Sequence, residues 1–98
     1  MLAFWLNLSV LRRQRKNMRF GVIESRPAMG LEDAYLCSGK EEAMERARHV
    51  WDCWTEKEQE RNSVQAVEVD DAYDEKSPDD CLDWHVSRIL WNGGKDGN

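Results

Sequence analysis

The spacing of apolar residues predicts one amphipathic helix in the middle of the chain. Between Ser38 and Arg61, apolar side chains recur every three or four residues, which places them on one stripe of an α-helix. Ser38 and Glu41 have the spacing of a capping box, so we expect the helix to begin near Gly39. The predicted stripe consists of Ala43, Met44, Ala47, Val50, Trp51 and Trp54. Because an indole buries on the order of 150 to 250 Å², two of them predict a flat partner surface, most simply a β-sheet.

Other apolar patterns predict the strands of that sheet. Residues 19–25 form a short apolar run, the Pro27 to Gly30 segment reverses the chain, and residues 34–37 return as the second strand of a hairpin. A second capping box, Thr55 with Glu58, predicts that the helix kinks after Trp54. Residues 64–69 alternate in polarity, which predicts a half-buried strand.

The last element has two interpretations. Ser77 followed by Pro78 and two aspartates is typical of a helix start. Residues 84–91, however, are rich in aromatic and β-branched side chains, which favours a strand. We predict a strand from about Val86 to Trp91, since the tryptophan-bearing helix needs more sheet to cover.

Together these patterns predict an α+β fold in the order ββαββ, with a small, mainly antiparallel sheet packed on one long helix. We expect one domain over residues 18–92, a flexible tail over residues 93–98, and an extension over residues 1–17 that precedes a natural start at Met18. The apolar run of that extension is about half the ~20 residues that a membrane span requires. Peripheral attachment through Phe4, Trp5, Leu6 and Leu8 is the alternative.

Charge is distributed unevenly along the chain. The segment up to Arg19 contains five bases and no acid, whereas the rest contains nine bases and all 19 acids, a net charge of −10. Such a body repels nucleic acid and anionic membranes and favours a protein partner with a basic surface. The three cysteines are an odd number without a repeating spacing, which fits a reducing cytoplasm better than a disulfide framework.

Two pairs of residues have a spacing that suggests zinc. His49 with Cys53 and Cys81 with His85 are each four residues apart and together form a Cys2His2 set. The first pair points mostly away from the apolar stripe, and the second is close enough only if its segment is helical. Neither has the spacing of a zinc knuckle. We therefore predict solvated histidines and free thiols, with no bound metal and no cofactor.

No pattern in the sequence indicates catalysis. The acidic residues 70–80 lack the glycine and the distal glutamate of a calcium loop, and we expect a mobile, solvated loop. Neither a nucleophile elbow nor a glycine-rich phosphate loop occurs, so we predict that the protein is not an enzyme. The candidate partner-binding residues are Asp70, Asp71, Asp74, Glu75, Asp79, Asp80, Trp84 and Trp91.

The stretch GKEEAMERARHVWDCWTEKEQERNSVQAVEV resembles a broad group of small proteins encoded on mobile elements and prophages of Gram-positive gut bacteria. The resemblance consists of an acidic-capped helix with spaced alanines and tryptophan, a Thr-x-x-Glu turn and a strand, and it extends over residues 19–91. It implies the same fold and no catalytic site.

These observations lead to three hypotheses about function. The first is a non-catalytic accessory protein of a mobile element or phage that binds a basic protein partner. The second is a DNA-mimic inhibitor, in which helix and loop acids replace phosphates on a nucleic-acid-binding enzyme; the helix acids are Glu41, Glu42, Glu45, Asp52 and Glu56. The third is a small zinc module. A homodimer through the exposed sheet face is compatible with each.

Overall fold

The computed structural model describes residues 18–94, and within them the chain folds as a small α+β unit. The strands are β1 (Arg19–Arg26), β2 (Leu31–Cys37), β3 (Ser63–Val69) and β4 (Val86–Gly93), and the helices are α1 (Lys40–Cys53) and α2 (Glu56–Arg61). Short 3₁₀ turns, Pro27–Met29 and Leu82–His85, precede β2 and β4. The predicted order ββαββ fits, and the predicted long helix is divided, at the kink expected after Trp54, into helices of 14 and six residues. The predicted extension 1–17 and tail residues 95–98 lie outside the described residues.

The four strands form one antiparallel sheet in the order β2-β1-β3-β4. β1 and β2 form the predicted hairpin, and its turn ends at Gly30, whose φ of 66° lies in the left-handed region that glycine adopts without strain. The two central strands, β1 and β3, come from opposite sides of the helical segment. The central strand pair of this open sheet therefore joins residues that are distant in sequence.

Helix α1 covers one side of the sheet, which we call the helix face. Val22, Val64 and Ala66 of the central strands are fully buried there against Ala43 and Ala47 of α1. The predicted stripe is confirmed: its other members, Met44, Val50, Trp51 and Trp54, pack against the same cluster. Small alanines next to the strands let the helix approach closely, while the larger side chains fill the margins of the contact.

The two predicted capping boxes have different outcomes. Thr55 accepts a hydrogen bond from the backbone N–H of Glu58, and the Glu58 carboxylate accepts one from the N–H of Thr55, so the box at α2 is confirmed. The capping box predicted at the start of α1 is not formed, so that prediction is wrong. Ser38 donates to Glu42 rather than pairing with Glu41, and Gly39 occupies the N-cap without a side-chain hydrogen bond.

The opposite side of the sheet, which we call the open face, is partly covered by the segment between β3 and β4. Leu82 is 2% exposed and packs with Ile23, Val67 and Val69. The prediction of a half-buried β3 is therefore wrong, because this segment buries the second face of the strand. The acidic loop, predicted to be mobile with nothing to bury, contributes the half-buried Tyr73 to the same cluster.

The last element is a strand, as predicted, and the alternative helix at Ser77 is not formed. β4 extends to Gly93, one residue past the predicted domain boundary at 92, and both Gly93 and Gly94 are buried. A Cβ atom at Gly93 would lie 2.8 Å from a ring atom of Trp51, so the close approach of this indole requires glycine. Within residues 18–94, neither helix has the length and apolar character needed to cross a membrane.

Candidate binding surface

The acidic loop, residues 70–80, is fastened to the sheet by Arg19. Its guanidinium donates hydrogen bonds to the backbone carbonyls of Asp70, at 2.8 Å, and Tyr73, at 2.6 Å. The same guanidinium lies 5.5 Å from the centre of the Tyr73 ring, within cation–π range. One basic side chain on β1 thus holds the beginning of the loop against the open face.

His85 connects the two ends of the acidic loop. Its Nε2 atom lies 2.8 Å from Oδ1 of Asp80, and its Nδ1 atom lies 3.3 Å from Oδ1 of Asp70. The hydrogen bond with Asp80 is the main cause that raises the pKa of His85 above its usual range. The pKa of Asp80 is lowered, chiefly because the backbone N–H of Asp74 donates to it and secondly because of His85. His85 is therefore held between two carboxylates rather than solvated.

Several of the predicted partner-binding acids are used inside the loop. Asp70 accepts a hydrogen bond from the N–H of Ala72, and Asp74 accepts one from the N–H of Lys76. Asp80 accepts from the N–H groups of Asp74 and Cys81. The other three, Asp71, Glu75 and Asp79, are exposed. Three of the six acids therefore accept hydrogen bonds inside the loop, although two of these three, Asp70 and Asp74, are also exposed.

A groove occupies the part of the open face that Leu82 leaves uncovered. Its volume is about 380 Å³, and it lies between the 3₁₀ turn before β4 and the ends of β1, β2 and β3. It combines apolar side chains with hydroxyl, amide and carboxyl groups, contributed by Ile23, Ser25, Glu32, Ser63, Gln65, Asp83, Val86 and Ile89. Such a mixed lining suits an amphipathic side chain with an apolar stem and a polar end.

Two carboxyl groups meet in this groove. Glu32 of β2 and Asp83 of the 3₁₀ turn both line the groove, and the contact of the Glu32 carboxyl group with Asp83 is the main cause that raises the pKa of Glu32 above its usual range. Burial and the negative charge of Asp83 act in the same direction. Neighbouring carboxylates repel each other, and a cation beside them offsets that repulsion. Glu32 therefore holds a proton more tightly than a separate surface glutamate does.

The tryptophans divide between core and surface. Trp84 follows Asp83 and is 69% exposed, and its role as a contact residue stays a prediction. Trp91, the other predicted contact, is half-buried against the cluster on the helix face. Trp51 and Trp54 pack edge to face, with ring centres 6.1 Å apart. Only Trp84 of these four presents most of its ring to solvent.

The zinc candidates do not converge. His49 and Cys53 are exposed on α1, with Nε2 and Sγ 3.6 Å apart. Because α1 covers the helix face, this pair lies on that side of the sheet. His85 belongs to the open-face side, where both its ring nitrogens contact aspartates, and Cys81 is exposed. Within residues 18–94, no three His, Cys, Asp or Glu side chains form a group that could hold a metal ion.

The groove brings together residues that no sequence pattern indicated, namely Glu32, Asp83 and Ile89. Ile89 is 50% exposed on β4, where the strand prediction gives no reason to single it out. Glu32 and Asp83 are separated by about fifty residues of chain, and neither belongs to a motif. Their pairing depends on how the 3₁₀ turn crosses the open face, which local sequence patterns do not encode.

Comparisons of the chain with family models, with curated proteins and with solved structures found no match.

Proposed function

We propose that this protein is a non-catalytic binding protein whose acidic surface takes up a basic segment of another protein. Residues 18–94 contain nine lysines and arginines against 18 aspartates and glutamates. A surface with this excess of acids attracts cationic partners over distances of about a Debye length, roughly 8 to 10 Å at moderate salt. The partner would be recognised first by charge and then by local fit.

The observation that carries this proposal is the pair of carboxyl groups in the groove. A lysine or arginine from a partner placed beside Glu32 and Asp83 would offset the repulsion between their negative charges, which is one of the causes that raise the pKa of Glu32. The aliphatic stem of such a side chain matches the apolar lining contributed by Val86 and Ile89. The exposed indole of Trp84, next to Asp83 in sequence, offers a cation–π contact.

The DNA-mimic hypothesis has less support, because the acids of α1 lie over the helix face while the acidic loop lies over the open face. The two sets of acids therefore belong to elements on opposite sides of the sheet, which disfavours one continuous phosphate-like surface. The zinc module would need His49 and His85 on one ion, across the sheet from each other. The origin in a mobile element or phage, and the cytoplasmic location, stay predictions.

Calorimetric titration of the full chain with a short basic peptide tests the proposal. We suggest acetyl-Thr-Val-Lys-Arg-Val-Thr-amide, compared with the same peptide in which glutamine replaces both bases. We expect binding of the basic peptide only, weakened when salt is raised from 50 to 300 mM, because salt screens exposed charges. Because the pKa of Glu32 is raised, binding at acidic pH should release a proton, seen as a dependence of the measured heat on the buffer's ionisation enthalpy.

Matched substitutions locate the contact. Glu32→Gln should weaken binding about fivefold, as expected for loss of a partly exposed ion pair. Glu60→Gln removes the same charge from an exposed position on α2 and should change the affinity less than about twofold. The proposal fails if the basic peptide does not bind, if the neutral peptide binds equally well, or if both substitutions have the same effect.

A further inference from the structure

The two edges of the sheet differ in their capacity to accept another strand. Along β4, the pairing with β3 shifts register twice, leaving Leu90 and Ser87 without an opposing residue. Such bulges twist an edge and interrupt its row of hydrogen-bonding groups. Along β2, seven consecutive residues pair with β1 without a shift. The β2 edge is therefore the regular one.

The first half of β2 is also the accessible half. Leu31, Glu32, Asp33 and Ala34 are exposed, whereas Tyr35 to Cys37 are half-buried, where the chain turns into α1. In an antiparallel pair, alternate residues direct both their N–H and their C=O away from the neighbouring strand. Residues 31–34 also contain neither proline nor lysine, the residues that most often protect an edge.

The two acids of this segment point to opposite faces of the sheet. Glu32 lies opposite Ser25, and both line the groove on the open face. Asp33 lies opposite Glu24, which belongs with the residues that face α1. A strand added beside β2 would place two consecutive side chains next to Glu32 and Asp33, one on each face. Two adjacent bases in that strand would each meet an acid.

We propose that the β2 edge binds an extended basic segment of a partner protein as a fifth strand of the sheet. The basic character of this segment rests on the proposed function, while the mode of binding is new. The acids at positions 32 and 33 disfavour an acidic strand and favour a basic strand over a neutral one. A second copy of this chain fits poorly, because its β2 contains two acids and no base, and its body repels the first.

Backbone methylation of the peptide separates strand addition from simple charge attraction. Two versions of acetyl-Thr-Val-Lys-Arg-Val-Thr-amide, N-methylated on the odd or on the even residues, keep the same charge but each lose one row of N–H donors. We expect one version to bind at least about tenfold more weakly and the other to bind like the parent, because only one row faces the protein. If both versions bind like the parent, strand addition is wrong while the proposed function stands. If the parent itself does not bind, the proposed function fails.

Amide hydrogen exchange identifies the edge. Binding of the parent peptide should slow exchange of the outward amides in residues 31–34 and leave Ser87 and Arg88 of β4 unchanged. Protection of β4 instead would overturn the proposal. The chain's own basic segment is the remaining competitor: if substituting Arg12, Arg13, Arg15 and Lys16 by glutamine tightens peptide binding more than about tenfold, that segment occupies the edge and a partner protein is not its occupant.

Discussion

Asp80 and His85 form the shortest ion-pair contact among the described residues, with Oδ1 and Nε2 2.8 Å apart. Because His85 also contacts Asp70, one imidazole joins the first and last residues of the acidic loop. The loop lies over the open face beside the groove, so the charge on His85 affects how firmly this side of the sheet is covered.

The contribution of His85 to stability should depend on pH. Its raised pKa means that the contribution is complete below about pH 6.5, the usual pKa of a histidine, and is lost as pH rises through the higher folded value. The lowered pKa of Asp80 means that its contribution is present above about pH 4 and is lost as pH falls through the folded value. The loop is therefore held most firmly between about pH 4 and pH 6.5.

Thermal unfolding from pH 4 to pH 9 checks this expectation. The difference in Tm between the natural chain and His85→Gln should be largest near pH 5.5 and should shrink above pH 7. A difference that is the same at every pH would show that His85 acts only through packing.

Leu82 should be the most important single side chain on the open face. It is 2% exposed and is the residue through which the 3₁₀ turn covers β1 and β3. Leu82→Ala should lower the free energy of unfolding by about 2 to 5 kcal/mol, through lost transfer energy and the cavity that remains. Denaturant unfolding measures this, with Trp84→Ala as the control, since a residue that is 69% exposed should cost less than about 0.5 kcal/mol.

Gly21 lies where two strands and the 3₁₀ turn meet closely. A Cβ atom there would be 2.6 Å from the carbonyl oxygen of Tyr35 and 3.2 Å from Cδ1 of Leu82. Gly21→Ala should therefore lower the free energy of unfolding by about 1 to 3 kcal/mol, because backbone and side chain must both shift. Gly39→Ser is the control: no atom lies within 4 Å of a Cβ there, and serine is a favoured N-cap. Equal losses from the two substitutions would contradict the steric explanation.

Thr55 should matter more than Ser38, although both precede a helix. Thr55→Ala removes one half of a capping box that satisfies backbone donors of α2, which should cost about 1 kcal/mol. Ser38→Ala removes a hydrogen bond to Glu42 outside the N-cap position and should cost less than about 0.5 kcal/mol. Urea unfolding of both variants measures the difference, and a larger loss for Ser38→Ala would contradict the assignment of the caps.

Local patterns predicted the elements that depend on local physics. The stripe on α1, the box at Thr55 and the turn that ends at Gly30 are each set by residues a few positions apart, so spacing and residue type are enough to predict them. The box at Ser38 was displaced by one residue because Glu42 reaches the same serine that Glu41 was expected to cap. Because Ser38 is followed by two successive glutamates, Glu41 and Glu42, the spacing alone does not decide which of them pairs with the serine. The path of the chain before the helix decides it.

The candidate surface was predicted only in part. The excess of acids follows from composition, whereas the sequence left Trp84 and Trp91 as equal contact candidates and the structure exposes only Trp84 of these two. The pairing of Glu32 with Asp83 does not follow from composition, since it requires the turn at residues 82–85 to cross the open face.

The sequence by itself determined the α+β order, the face of α1 that is buried and the negative charge of the body, because each arises from periodicity or counting. The tertiary structure decided that β3 is buried on both sides, that His85 closes the acidic loop and that a groove remains beside it. The physical reason is that these features depend on where the segment between β3 and β4 lies across the open face of the sheet. That placement is set by long-range packing of Leu82 and Tyr73, which no local period records.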